Sequence, residues 1–141
     1  MAYLTYRKKT VYNAMSKRII EAFFNTLGEF IDQLITLFPE DPDFPAYKAG
    51  LPFLKMGNPA LMFSQIDQHV LPHEDLIMKK DDDFFVRYDF ADLVSGDTSM
   101  SSIVNSLKSK WVSLPATTQD VLFDYLIMLL ALTKAYKGAS A

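Results

Sequence analysis

Three stretches hold the residue types from which a chemical site could be built. "KKDDDFF", residues 79–85, sets Asp81, Asp82 and Asp83 in a row between two lysines and two phenylalanines. "HVLPHED", residues 69–75, holds the two histidines of the chain, four positions apart, with Glu74 and Asp75 beside them. "MAYLTYRKKTVYNAMSKR", residues 1–18, interleaves Tyr3, Tyr6 and Tyr12 with Arg7, Lys8 and Lys9. The matching chemistries are calcium or magnesium binding, zinc binding, and recognition of phosphates or an acidic partner.

The aspartate run fails as a calcium loop. Counted from Asp81, the sixth position is Val86 and the twelfth is Asp92, where an EF-hand needs glycine and glutamate. Consecutive side chains of an extended segment also point in alternating directions, so three neighbours do not converge on one ion. Lys79, Lys80 and Arg87 offer charge partners, and Phe84 with Phe85 can pin a solvated turn to a core. The histidine pair fares no better. Pro72 lies between His69 and His73 and breaks a shared helix face, and Val70 stands where a zincin has glutamate. No metal and no cofactor are expected.

Enzyme patterns are otherwise missing from the sequence. It has no glycine-rich phosphate loop, no G-x-S-x-G elbow and no cysteine, which removes thiolate catalysis and disulfides together. A non-enzymatic role is the expectation.

The net charge of −3 conceals a polarity. Residues 1–20 carry five bases and no acid, residues 21–97 carry fifteen acids and five bases, and residues 98–141 carry two acids and four bases. Tyr3, Tyr6, Arg7, Lys8 and Lys9 suit stacking and charge pairing, yet an acidic body repels a DNA duplex within a Debye length of ~8 Å. An acidic patch of a neighbouring protein and the chain's own acidic body are the two better matches, and the first is carried forward. On this reading the basic arm binds one neighbour, while Glu40, Asp41, Asp43, Asp81, Asp82 and Asp83 present complementary charge to another. Nucleic acid is not expected as a partner, and an oligomer is compatible with the pattern.

These candidates need a scaffold, and the apolar spacing supplies a helical one. Ile19, Phe23, Leu27, Phe30, Ile31, Leu34 and Phe38 recur at three- and four-residue steps, which predicts a helix over 15–38 ended by Pro39. Asp43 is placed to cap a second helix that reaches about Met56, kinked or split at Pro52. Gly57, Asn58 and Pro59 read as a stop, an N-cap and a first helical residue. A third helix then runs to Pro72 and a short fourth spans Asp75 to Lys79, with an irregular acidic stretch from Asp81 to Gly96. A further helix from Asp97 or Ser99 carries Leu107 and Trp111, and Thr117 or Thr118 caps the last, which ends near Tyr136.

The most apolar window, "VLFDYLIMLLALT", is 13 residues long and contains Asp124, short of the ~20 apolar residues that span a bilayer. It is expected to lie at the centre of the fold, with Leu126 and Leu129 in the core and no membrane span. The fold class is therefore all-α: a compact single domain of five or six helices with a buried C-terminal helix. Residues 1–14 form a basic aromatic N-terminal arm and 15–141 the helical domain.

"FFNTLGEFIDQLITLFPEDPDFPAYKAGL" (23–51), "LIMKKDDDFFVRYDF" (76–90), and Trp111 followed by "VLFDYLIMLLAL" (121–132) together resemble small helical proteins of the nucleocytoplasmic large DNA viruses that infect algae and amoebae. The resemblance spans about residues 20–135 and its motifs are structural rather than catalytic. It implies a viral structural or adaptor protein, a minor capsid component whose partners are capsid proteins or neighbouring subunits, in the virion or the host cytoplasm. The alternative it leaves open is a regulatory module that is not packaged and binds a host or viral factor.

Overall fold

The computed structural model describes residues 2–86 and 106–140, with side chains from Ala14 to Ala139. Every regular element among them is helical. The order is α1 (Ala2–Leu37), α2 (Asp43–Gly57), α3 (Pro59–His69), a 3-10 turn (Leu71–His73), α4 (Glu74–Met78) and α5 (Asp83–Val86). Residues 106–110 are helical, a second 3-10 turn covers Trp111–Ser113, and α6 (Ala116–Ser140) closes the chain. The part of the expected Asp97 or Ser99 helix before residue 106 lies outside the described residues, as does Gly96.

Two long helices form the frame. Phe30 meets Tyr125 with ring centroids 5.9 Å apart, and Phe23 reaches Tyr136 through Phe63, so α1 and α6 run antiparallel. Helix α2 folds back along α1, tied by Lys48 to Asp32 and by Lys55 to Glu21. The stripe predicted for α1 is the one buried: Phe23, Leu27, Phe30, Ile31 and Leu34 are all in the core. It meets Phe44, Tyr47 and Leu51 of α2, Met62, Phe63 and Ile66 of α3, and Leu122, Phe123, Leu129 and Leu130 of α6.

Several boundaries differ from expectation. Helix α1 begins at Ala2, so the basic segment is helical backbone continuous with α1 rather than a separate arm. Among its described side chains, the core-packed ones nearest the N-terminus are Ile19 and Ile20, while Met15, Lys17 and Arg18 are exposed. The reason lies in the sequence, since Ser16 follows Ile19 and Ile20 on the inward stripe and offers nothing to bury. At ~1.5 Å per residue, the 36 residues of α1 outrun the 25 of α6 by roughly 16 Å.

Asp43 sits inside the first turn of α2 rather than capping it. Pro42 stands at the N-cap and brings no capping side chain; just before it, Asp41 Oδ1 accepts the Asp43 N–H at 2.9 Å. Helix α2 continues through Pro52 without splitting. Gly57 is the last residue of α2 and no described glycine has positive φ, so the break before Pro59 is made by Asn58 in extended backbone (φ −156°). Helix α6 starts at Ala116, before Thr117 and Thr118, and Gly138 lies within it. It is thus longer than its apolar window, because the flanking Ala, Thr and Gln residues are neutral and continue the helix. By length and composition it could cross a membrane. In the fold it lies against α1, α3 and α4, buried along one side at Leu122, Phe123, Leu129, Leu130 and Thr133. Val121 and Met128 are exposed on the other, and Leu126 is only half-buried.

Candidate functional site

The aspartate triplet starts at a helix end. Helix α4 closes with the Lys80 N–H on the Ile77 carbonyl and the Asp81 N–H on the Leu76 carbonyl, the paired 5→2 and 6→1 bonds of a Schellman motif. The left-handed position of that motif falls on Lys80, with φ 53°. The resulting reversal turns Lys80 Nζ onto Asp120 and Asp124 of α6, 2.7 and 2.8 Å away. The hydrogen bonds that Lys80 donates to Asp120 and then to Asp124 raise its pKa.

The next residues then divide the work. Asp81 Oδ1 accepts the Asp83 N–H at 2.9 Å and starts α5. Asp82 Oδ1 accepts the indole N–H of Trp111 at 3.2 Å. Phe84 and Phe85 are buried, and Phe85 stacks on Trp111 at 3.9 Å with Phe123 edge-on to both. The stretch is a turn with an aromatic anchor, as the residue pattern suggested, although it contains one helical turn where irregular chain was expected.

The other acidic loop reaches the same place from the opposite side. Asp41 pairs with Lys110 at 2.9 Å, and Lys110 Nζ lies 4.7 Å from the Phe38 ring centroid and 5.9 Å from that of Phe44. Burial works against the charge of Asp41, but the Asp43 N–H and the Lys110 and Ser106 side chains outweigh it and hold the carboxyl below its ordinary 3.8. Leu37, Phe38, Pro39, Glu40, Asp41 and Lys110 line a shallow open depression of about 440 Å³ here. Its charged centre is already paired, so it has cation and anion together rather than a vacant group to offer a ligand.

The residues singled out from the sequence therefore separate. Asp41 and Asp82 converge on consecutive residues, Lys110 and Trp111, which join the two acidic loops. Glu40 and Asp43 are exposed. Tyr3, Tyr6, Arg7, Lys8 and Lys9 lie on the helical backbone of α1, and their side chains are outside the described residues. His69 ends α3 and His73 sits in the following 3-10 turn, its ring 5.9 Å from that of Phe84. Among the described residues no three His, Asp or Glu side chains come together as a metal site.

One surface was missed. Between Asp43 and Asn58, every fully exposed residue is apolar or glycine: Pro45, Ala46, Ala49, Pro52, Phe53, Met56 and Gly57. Phe53 is 78% exposed and Met56 85%. The two lysines of α2 are turned inward to the carboxylates of α1, which strips the outer face of charge. The signal was present in the spacing, since positions 45, 49, 52 and 56 repeat at four, three and four on the side opposite Phe44, Tyr47 and Leu51. Lys110 was missed as well, because nothing local to it indicates that Asp41 lies beside it.

Comparison with known proteins adds no relative: no family model matches the sequence, and no curated protein or solved structure is similar to it.

Proposed function

We propose that this chain is a non-enzymatic structural or adaptor protein that acts through protein–protein contacts, and that it serves as a minor component of a viral capsid, as its resemblance implies. The observation that carries the contact role is the outer face of α2, where Phe53 and Met56 stand almost fully in solvent and every exposed residue after Asp43 is apolar or glycine. Single exposed apolar residues are ordinary. A whole helix face of them marks a surface built to be covered.

The basic half of α1 supplies a second kind of contact. Its five bases lie on the helical segment before Ile19, the core-packed residue nearest the N-terminus among the described side chains, and residues 21–97 are acidic. Charge of that kind sets orientation and association rate, while the apolar face supplies affinity.

Proteomics of purified particles tests the capsid role. The chain should be present in stoichiometric amounts, and a Phe53→Asp variant should be made in infected cells but excluded from particles. Full expression without packaging of the natural chain rejects the capsid role in favour of a regulatory module. Normal packaging of Phe53→Asp rejects the α2 face as the contact.

A further inference from the structure

The face of α2 that no described residue covers has a distribution of sizes that selects its occupant. Pro45, Ala46 and Ala49 occupy its N-terminal half and present little bulk, whereas Phe53 and Met56 project from its C-terminal half. A surface with its protrusions at one end and its flat ground at the other is complementary to itself when turned through a two-fold axis. We infer that the outer face of α2 binds α2 of a second copy of this chain, antiparallel, with the axis between Gly50 and Leu51. This rests on the reading of that face as a protein contact surface.

In this register Met56 of each copy lies over the partner's Pro45, and the partner's Pro52 lies over Ala49. Phe53 packs beside them against the partner's Ala46 and Ala49. The 45, 49, 52, 56 spacing is that of a helix seam, and alanines at its N-terminal half let the two axes approach closely.

Charge favours the same occupant. Residues 21–97 carry fifteen acids against five bases, so the acidic surfaces of two copies repel one another. The α2 face is free of charge, because Lys48 and Lys55 are held by Asp32 and Glu21. Two copies therefore meet there without like charges opposed. A membrane surface is a poorer match, since interfacial helices hold anionic headgroups with outward lysines or arginines, and those of α2 are engaged.

Area sets the strength. Phe53 alone offers roughly 150 Å². Together with Met56, the prolines and the alanines of both copies, the contact falls near the ~1,000 Å² total at which specific interfaces begin. The dimer is accordingly weak, with a Kd on the order of micromolar.

Sedimentation velocity on the full chain, from about 1 to 300 µM, should show a monomer passing to a dimer. Phe53→Asp and Met56→Asp should each remain monomeric over that range with an unchanged melting temperature. The chain has no cysteine, so orientation can be tested by mixing Ala49→Cys with Pro52→Cys under mild oxidation. The mixed disulfide should form faster than either homodimer. A natural chain that stays monomeric throughout, or a Phe53→Asp variant that dimerises as before, overturns the inference. So does faster linking of like with like, the mark of a parallel pair. A monomer that still requires Phe53 for packaging, for capture of another protein or for binding anionic vesicles removes the second copy as occupant and leaves the face as a contact surface. Loss of both the dimer and any packaging defect removes the contact role itself.

Discussion

The corner around Lys110 and Trp111 and the outer face of α2 are opposites in composition and in use. The corner gathers the acidic groups that look most like a display surface, and it binds them internally: Asp41 to Lys110, Asp82 to Trp111, Asp81 to its own turn. The α2 face is built from residues that look like core, and nothing described covers it. Conspicuous charge here holds the fold together, while plain apolar residues are left for something else. Polarity is therefore a poor guide to which surface of this protein works. Whether a group already has a partner is a better one.

The comparison breaks most easily at the corner. Trp111→Ala should destabilise the chain by ~3–5 kcal/mol, because it empties the space between Phe85 and Phe123 and leaves Asp82 without the indole N–H. Urea denaturation followed by circular dichroism measures it, and a loss below about 1 kcal/mol contradicts the burial of Trp111. Leu129→Ala on α6 should cost ~2–5 kcal/mol, and Leu126→Ala clearly less, since Leu129 is buried and Leu126 only partly so. Equal losses at the two sites contradict the orientation of α6.

A smaller effect with a pH signature is expected at Asp41. Its carboxyl titrates lower folded than unfolded, so the stability it contributes is fully present above pH 3.8 and is lost as the pH falls through the folded value. Asp41→Asn should cost about 1 kcal/mol at pH 7, trimmed by the partial exposure of Lys110, and nothing once Asp41 is protonated. Denaturation curves of the two proteins from pH 7 down through the acid range check this, the gap narrowing as the pH falls below 3.8. A gap that persists at the lower pH assigns the loss to packing instead.

The α2 face and the basic half of α1 should barely register in stability. Phe53→Asp is expected to stay within about 0.5 kcal/mol of the natural chain. Deletion of residues 2–12 is expected to shift the melting temperature little and to remove packaging or partner capture. A deletion that unfolds the domain shows that this half of α1 belongs to the core after all.

Much of the helical frame was legible along the chain. The inward stripe of α1, the breaks at Pro39 and Pro59 and the aromatic anchor at Phe84 and Phe85 all follow from spacing and from what proline and bulky apolar residues allow. Helix ends were less legible. Asp41 and Asp43 are equally good caps by type, and whichever reaches the free N–H is settled by where the chain enters α2. Pro52 could have divided α2, but Phe44, Tyr47 and Leu51 are buried before it and Leu54 packs on the core after it, with Lys55 held by Glu21, so one helix is kept.

Residue types and their order along the chain determined an all-α protein with a basic start, an acidic middle and a core rich in aromatics, because these depend on near neighbours and on overall composition. Only the tertiary structure decided that Asp41 and Asp82 close on Lys110 and Trp111, 69 and 29 positions away, and that Lys48 and Lys55 turn inward to α1. Those pairings arise when helices pack, and the partners share no local pattern in the sequence. By pairing the lysines of α2 with α1, and Asp41 and Asp82 with Lys110 and Trp111, packing also left the outer face of α2 as an apolar surface that no described residue covers.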